Sequence, residues 1–130
     1  MGWNLNRTLA KINYRIHTDA IKDMLIPPDV TPQRQSITYA SEADVLNVAL
    51  FGITAKEWRQ AHPDAKGNIR DEASLQQLIV LANMESINAE LIRQGVPQGE
   101  RLLRLNASAK QMMQSLIGDG RVAELKKLGR

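Results

Sequence analysis

Three groups of residues in this chain have the types and spacing that chemistry would use. The first is Lys56, Arg59 and Gln60, which share one face of a short helix beyond Gly52. Arginine and glutamine suit the hydrogen-bonding edges of guanine and adenine. "SEADVLNVALF" followed by "GITAKEWRQAHP" has the outline helix, glycine-containing turn, helix, as in a helix-turn-helix reader. Ile53, Trp58 and Ala61 then point inward. Two features oppose a reader: the second helix has barely two turns before Pro63, and Glu57 sets a negative charge where phosphates would lie. An ordinary helix corner anchored by Trp58 accounts for the same residues.

The second group is Arg7, Lys11 and Arg15, joined by Lys22. At 100° per residue they fall on one side of an N-terminal helix, opposite Leu9, Ile12 and Ile16. Such a row would bind a phosphate backbone or an acidic partner. A solvated face is the commoner reason for one. The third group lies in "NMESINAE", where Asn83, Glu85, Ser86 and Asn88 interrupt the most apolar helix. Buried polar groups are costly unless hydrogen-bonded. One reading is a structural network, with Arg70 or Arg93 pairing Glu85 and with Arg70 and Asp71 tying the preceding turn to the helix. The other is a polar pocket with Glu85 as an acid–base group raised by burial. A single carboxylate with no nucleophile beside it favours the first.

Other chemistry finds no residues. His17 and His62 lack partners at metal-ligand spacing, and there is no cysteine. No glycine-rich phosphate loop, nucleophile elbow or dinucleotide fingerprint occurs. No catalytic residue, metal site or cofactor is expected. Lys plus Arg number 17 against 14 acids, a balance of +3, which permits nucleic acid without demanding it. Aromatics at 4% are too few for a base-stacking platform. With no signal-peptide core and no apolar run of bilayer length, no membrane partner is expected and a cytoplasmic location is.

The elements that must position these groups are helical. Leu5, Leu9, Ile12, Ile16, Ala20 and Met24 recur at three- and four-residue steps and mark one helix, Leu5 to Leu25, capped by Asn4 or Asn6. "IPPDVTPQ" stops it. "RQSITYA" is too short to assign between strand and loop. Ser41 to Asp44 resembles a capping box that opens a helix to Phe51, ended by Gly52. Thr54 to Glu57 is a second capping box. Ser74 and Gln77 cap the longest helix, which runs to Gln94 and stops at Gly95. Its "LQQLIVLA" segment, residues 75–82, is apolar nearly all round and should be central, wrapped on every side. Pro97 suits the first turn of a final helix ended by Gly118. On that helix Arg101, Arg104 and Lys110, with Gln98 and Gln111, should form a polar face. Adjacent Met112 and Met113 cannot both face one core, which leaves one for a subunit contact. The fold class is all-α: a compact bundle of about five helices around a central apolar helix. Residues 1–118 form a single domain, and 119–130 a basic tail.

Four phrases carry a family resemblance: "INYRIHTDAIKDMLIP", "YASEADVLNVALFGITAKEWRQAHPDAKGNIRDEAS", "LIVLANMESINAELIRQG" and "ERLLRLNASAKQMM". In order, across about residues 7–117, they resemble the C-terminal region of KilA-N domain-containing proteins, which are associated with phages and prophages. In that family DNA binding is attributed to the KilA-N domain, for which this chain has no room. The resemblance implies a companion module, either standalone or cut from a longer protein, and assigns no catalytic residue; the function expected is an interaction module of phage or mobile-element origin that oligomerises or binds a protein partner, with regulation of a DNA-binding protein as one such role. Nucleic acid remains a second possible partner through the Gly52 corner.

Overall fold

The structure is a computed structural model that describes residues 2–122, with the side chains of residues 2–4 and 6 outside the description. Among the described residues it is all-α, with five α-helices, one 3₁₀ turn and no strand. Helix α1 spans Gly2–Leu25. It begins before Asn4 and Asn6, so neither is its N-cap. Helix α2 spans Pro32–Phe51, which corrects the assignment of "RQSITYA": this segment is helical and continuous with residues 41–51. Thr31 is the N-cap, its hydroxyl accepting from the Arg34 N–H at 3.3 Å, and Pro32 occupies the first turn. A proline lacks the N–H that the first turn leaves unbonded anyway, so Pro32 begins a helix here, seven residues after α1 has ended at Leu25. Ser41 and Asp44 therefore lie inside α2 and form no cap. Asp44 instead accepts from the Ala55 N–H at 2.9 Å, across the corner.

Gly52 (φ 82°) ends α2 in the left-handed conformation that side chains disfavour. Helix α3, Ala55–Ala61, starts on the expected Thr54/Glu57 capping box. A 3₁₀ turn, Ile69–Glu72, is opened by a reciprocal Asn68/Asp71 box. Helix α4, Leu75–Arg93, opens on Ser74 and Gln77 as read. Helix α5, Gln98–Leu116, follows Pro97, which is its N-cap residue and not its first helical one.

Cross-helix hydrogen bonds fix the directions. Asn13 Nδ2 donates to Ala82 O at 2.9 Å, and Arg93 Nη2 donates to Asp23 Oδ2 at 3.3 Å, so α1 and α4 run parallel. Gln98 donates to Ser41 Oγ at 3.1 Å and Asn106 Nδ2 to Ala49 O at 2.9 Å, so α2 and α5 are also parallel. Asn83 reaches Met112 Sδ at 3.6 Å while Arg101 reaches Asn88 at 2.9 Å, so α4 and α5 are antiparallel. The most extensive packing is α1 on α4, then α2 on α5 and α4 on α5. Helix α3 and the 3₁₀ turn carry the chain from α2 across to α4.

Two apolar clusters hold the bundle. The larger joins Val45, Leu46 and Ala49 of α2 to Val80, Leu81 and Met84 of α4 and Leu105 and Ala109 of α5. Met112 and Met113 both pack against it, contrary to the expectation that one must leave the core; flexible thioethers reach the same cluster from adjacent positions. The smaller cluster joins Ala20 and Ile21 of α1 to Ala89 and Ile92 of α4.

Between the clusters lies a polar layer to which each long helix gives one buried residue: His17, Glu42, Asn88 and Arg101. Arg101 meets Glu42 through both guanidinium nitrogens, the Nη2–Oε2 contact being 3.0 Å. Arg101 also donates to Asn88 Oδ1 at 2.9 Å and, through Nε, to Val96 O at 2.9 Å. An arginine only donates, so that contact orients the Asn88 amide. Its Nδ2 then donates to His17 Nε2 at 2.8 Å and to Glu42 Oε1 at 3.1 Å. Burial pushes His17 down to about 4, against the pull of Glu42, so the ring is neutral. Burial opposes ionisation of Glu42 as well. Hydrogen bonds from Arg101, Gln98 and Asn88 outweigh it and hold the carboxyl below its ordinary range.

Candidate functional site

Helix α1 carries more apolar surface than the bundle covers. Its buried face is His17, Ala20 and Ile21, with Asn13 half-buried beside them. The apolar stripe that marks the helix in the sequence faces outward: Leu5 is 61% exposed, Leu9 50%, Ile12 49% and Ile16 41%. Of that stripe only Ala20 is buried, and Met24 is half exposed. Small side chains at Ala20 and Ala89 let α1 and α4 approach closely there, and the Asn13 and His17 hydrogen bonds require a contact line about a quarter-turn away from the leucines. Periodicity identified the apolar stripe but not which neighbour covers it.

Beside the stripe, α1 and α4 bound a groove of about 650 Å³. Leu9, Ala10 and Tyr14 line it from α1, and Leu75, Leu78, Ile79 and Ala82 from α4. Leu78 is 41% exposed, so the 75–82 segment is not wrapped on every side as expected. Its first turns open onto the groove, and only Val80 and Leu81 are buried. Arg7, Lys11 and Arg70 contribute positive charge, and Glu85 the one carboxylate among the described residues. Glu85 is 5% exposed and forms one loose ion pair, 3.9 Å from Arg70 Nη1. Burial raises its carboxyl to about 7, with Arg70 pulling the other way. Among the described residues no serine, threonine, histidine or second carboxylate lines the groove.

The residues expected to form one polar network divide among separate places. Arg70 pairs Glu85 as anticipated, whereas Arg93 turns to Asp23. Asp71 caps the 3₁₀ turn through the Asn68 N–H at 2.7 Å. Asn83 is exposed and donates only to Met112. Asn88 belongs to the central layer, whose other members His17, Glu42 and Arg101 were not foreseen as a group. Arg101, read as part of an exposed face with Arg104, is 3% exposed; it lies on the same side of α5 as Leu105 and Ala109. An i, i+4, i+8 relation to two core residues was the available signal.

Lys56, Arg59 and Gln60 are all exposed on α3, over a buried Trp58. Arg59 is engaged at home: its guanidinium meets the carbonyls of Ala65 and Gly67 and lies 5.1 Å from the Trp58 ring. Ala61, expected inward, is exposed. His62 stacks on Trp58 at 4.6 Å and contacts the Trp58 carbonyl through Nδ1 at 2.9 Å. Arg7, Lys11 and Arg15 are exposed along α1, with Arg15 3.6 Å from Asp19. Among the described residues no group of three His, Cys, Asp or Glu could hold a metal, and no helix is long and apolar enough to cross a membrane. No protein-family model, curated protein or solved structure matches the chain.

Proposed function

We propose that this chain is a helical interaction module that self-associates through the outer stripe of α1. The observation that carries the reading is the half-exposed row Leu5, Leu9, Ile12 and Ile16. Its 4-3-4 spacing is that of a short coiled-coil seam. The seam is roughly 16 Å long at 1.5 Å per residue. The occupant that fits is a second copy of α1, whose identical row supplies the other half of the seam. The resemblance to the region that follows KilA-N domains supports a role beside a DNA-binding partner of phage or mobile-element origin. Such a module would bring two copies of that partner together.

Sedimentation velocity over a wide concentration range tests the reading. A reversible dimer is expected, with Ile12→Asp monomeric and its far-ultraviolet spectrum unchanged. A wild-type chain that stays monomeric at every concentration overturns the proposal. Direct DNA contact at the Gly52 corner is a second reading, favoured by the exposure of Lys56 and Gln60 and weakened by the engagement of Arg59. It requires duplex binding that falls steeply with salt.

A further inference from the structure

The groove between α1 and α4 combines two features that a solvated crevice lacks. Its walls are Leu9, Leu75, Leu78, Ile79 and Leu81, and its volume of about 650 Å³ is that of a small-molecule site. Against those walls lies Glu85, almost wholly buried, which accepts no hydrogen bond among the described residues. At 3.9 Å its distance to Arg70 exceeds hydrogen-bonding range, about 2.7–3.2 Å. Buried Glu85 and half-buried Arg70 are held together by charge alone.

We propose that this groove binds a neutral molecule with an apolar body and one hydroxyl head, an aliphatic alcohol or a phenol, whose hydroxyl bridges Glu85 and Arg70. A hydroxyl is the head that both partners can use, because ionised Glu85 only accepts and Arg70 only donates, whereas a hydroxyl does both. An oxygen placed about 2.7–2.9 Å from each fits a gap of 3.9 Å. The charged alternatives fit worse. A carboxylate head would face Glu85, and an ammonium head would face Arg70 with Arg7 and Lys11 also on the lining. The apolar body displaces solvent from the leucine walls, which water alone cannot do.

The site shares Leu9 with the self-association stripe, while Leu5, Ile12 and Ile16 lie outside its lining, so a change at Ile12 tests pairing without altering the groove wall. The test uses the full chain at pH 8, where Glu85 is ionised, and repeats each titration in the Ile12→Asp background, so that loss of pairing and loss of binding are read separately. Three six-carbon probes that differ only in the head, 1-hexanol, hexylamine and hexanoate, are titrated while the backbone amide resonances are followed. Saturable shifts at Leu78, Ala82 and Glu85 are expected with 1-hexanol, at about tenfold or more higher affinity than with either charged probe. Glu85→Leu should remove that preference for the hydroxyl, and Ala82→Phe should fill the groove and abolish binding. Should Ala82→Phe fold poorly, Leu78→Trp closes the groove from its exposed edge. Equal binding of all three probes, stronger binding of hexanoate, or the absence of saturable groove shifts each overturns the proposal.

Discussion

Replacing Arg101 with leucine removes the cation that meets Glu42 and leaves a carboxylate that is 2% exposed. Gln98 Nε2, at 2.8 Å, and Asn88 Nδ2, at 3.1 Å, would still donate to it. The Asn88 and Val96 oxygens would each lose a donor. Breaking a buried ion pair from one side costs about 3–5 kcal/mol, because the remaining charge stays desolvated. Domains of this size have about 5–15 kcal/mol in all, so the variant should lose roughly a fifth or more of its stability. The Glu42→Leu/Arg101→Leu pair should lose much less, since no charge is then stranded. Urea unfolding followed by circular dichroism measures both variants. The single change should also be the less harmful the lower the pH, because protonating Glu42 removes the stranded charge. A loss below about 1 kcal/mol for Arg101→Leu, or an equal loss for the double variant, would refute a dry, charge-paired layer.

Two further outcomes concern Glu85 and Gly52. Glu85, at about 7 in the fold against its ordinary 4.5, weakens folding progressively as pH rises from 4.5 to about 7, whereas His17, at about 4 against 6.5, weakens it as pH falls from 6.5. Glu85→Gln should therefore gain about 1–3 kcal/mol over the wild type above pH 7 and little at pH 5, and identical pH–stability profiles would contradict the burial of Glu85. At Gly52 (φ 82°) a Cβ would meet nothing within 4 Å, so Gly52→Ala should cost only the backbone strain, about 1 kcal/mol by thermal unfolding, and a much larger loss would mean that the corner is more crowded than this clearance implies.

Much of the fold was legible because its boundaries are written in local chemistry. The Thr54/Glu57 and Ser74/Gln77 boxes start α3 and α4 as read, and Gly52 and Gly95 terminate helices with φ of 82° and 77°. Pro32 misled, since a proline ends a helix when read from its N-terminal side and begins one when read from the other. The choice in favour of an ending left nine residues of α2 unassigned and turned Ser41 and Asp44 into a capping box. The candidate site was less legible for a different reason. Which face of α1 meets α4 is decided by Asn13, His17 and Ala20, two polar side chains and one small one, and a hydrophobic count ranks all three below the leucines that face outward. Glu42 and Arg101 lie 59 residues apart, and no local pattern relates them.

The central layer also bears on when the chain can fold during synthesis. Glu42 precedes Arg101 on the growing chain by 59 residues and Asn88 by 13, and each has its strongest donor or orienting partner there. Until that arginine emerges, any collapse of the first three long helices would enclose an uncompensated carboxylate. Native packing is thereby deferred until α5 has been made, and the growing polypeptide is kept from committing early to an incomplete arrangement.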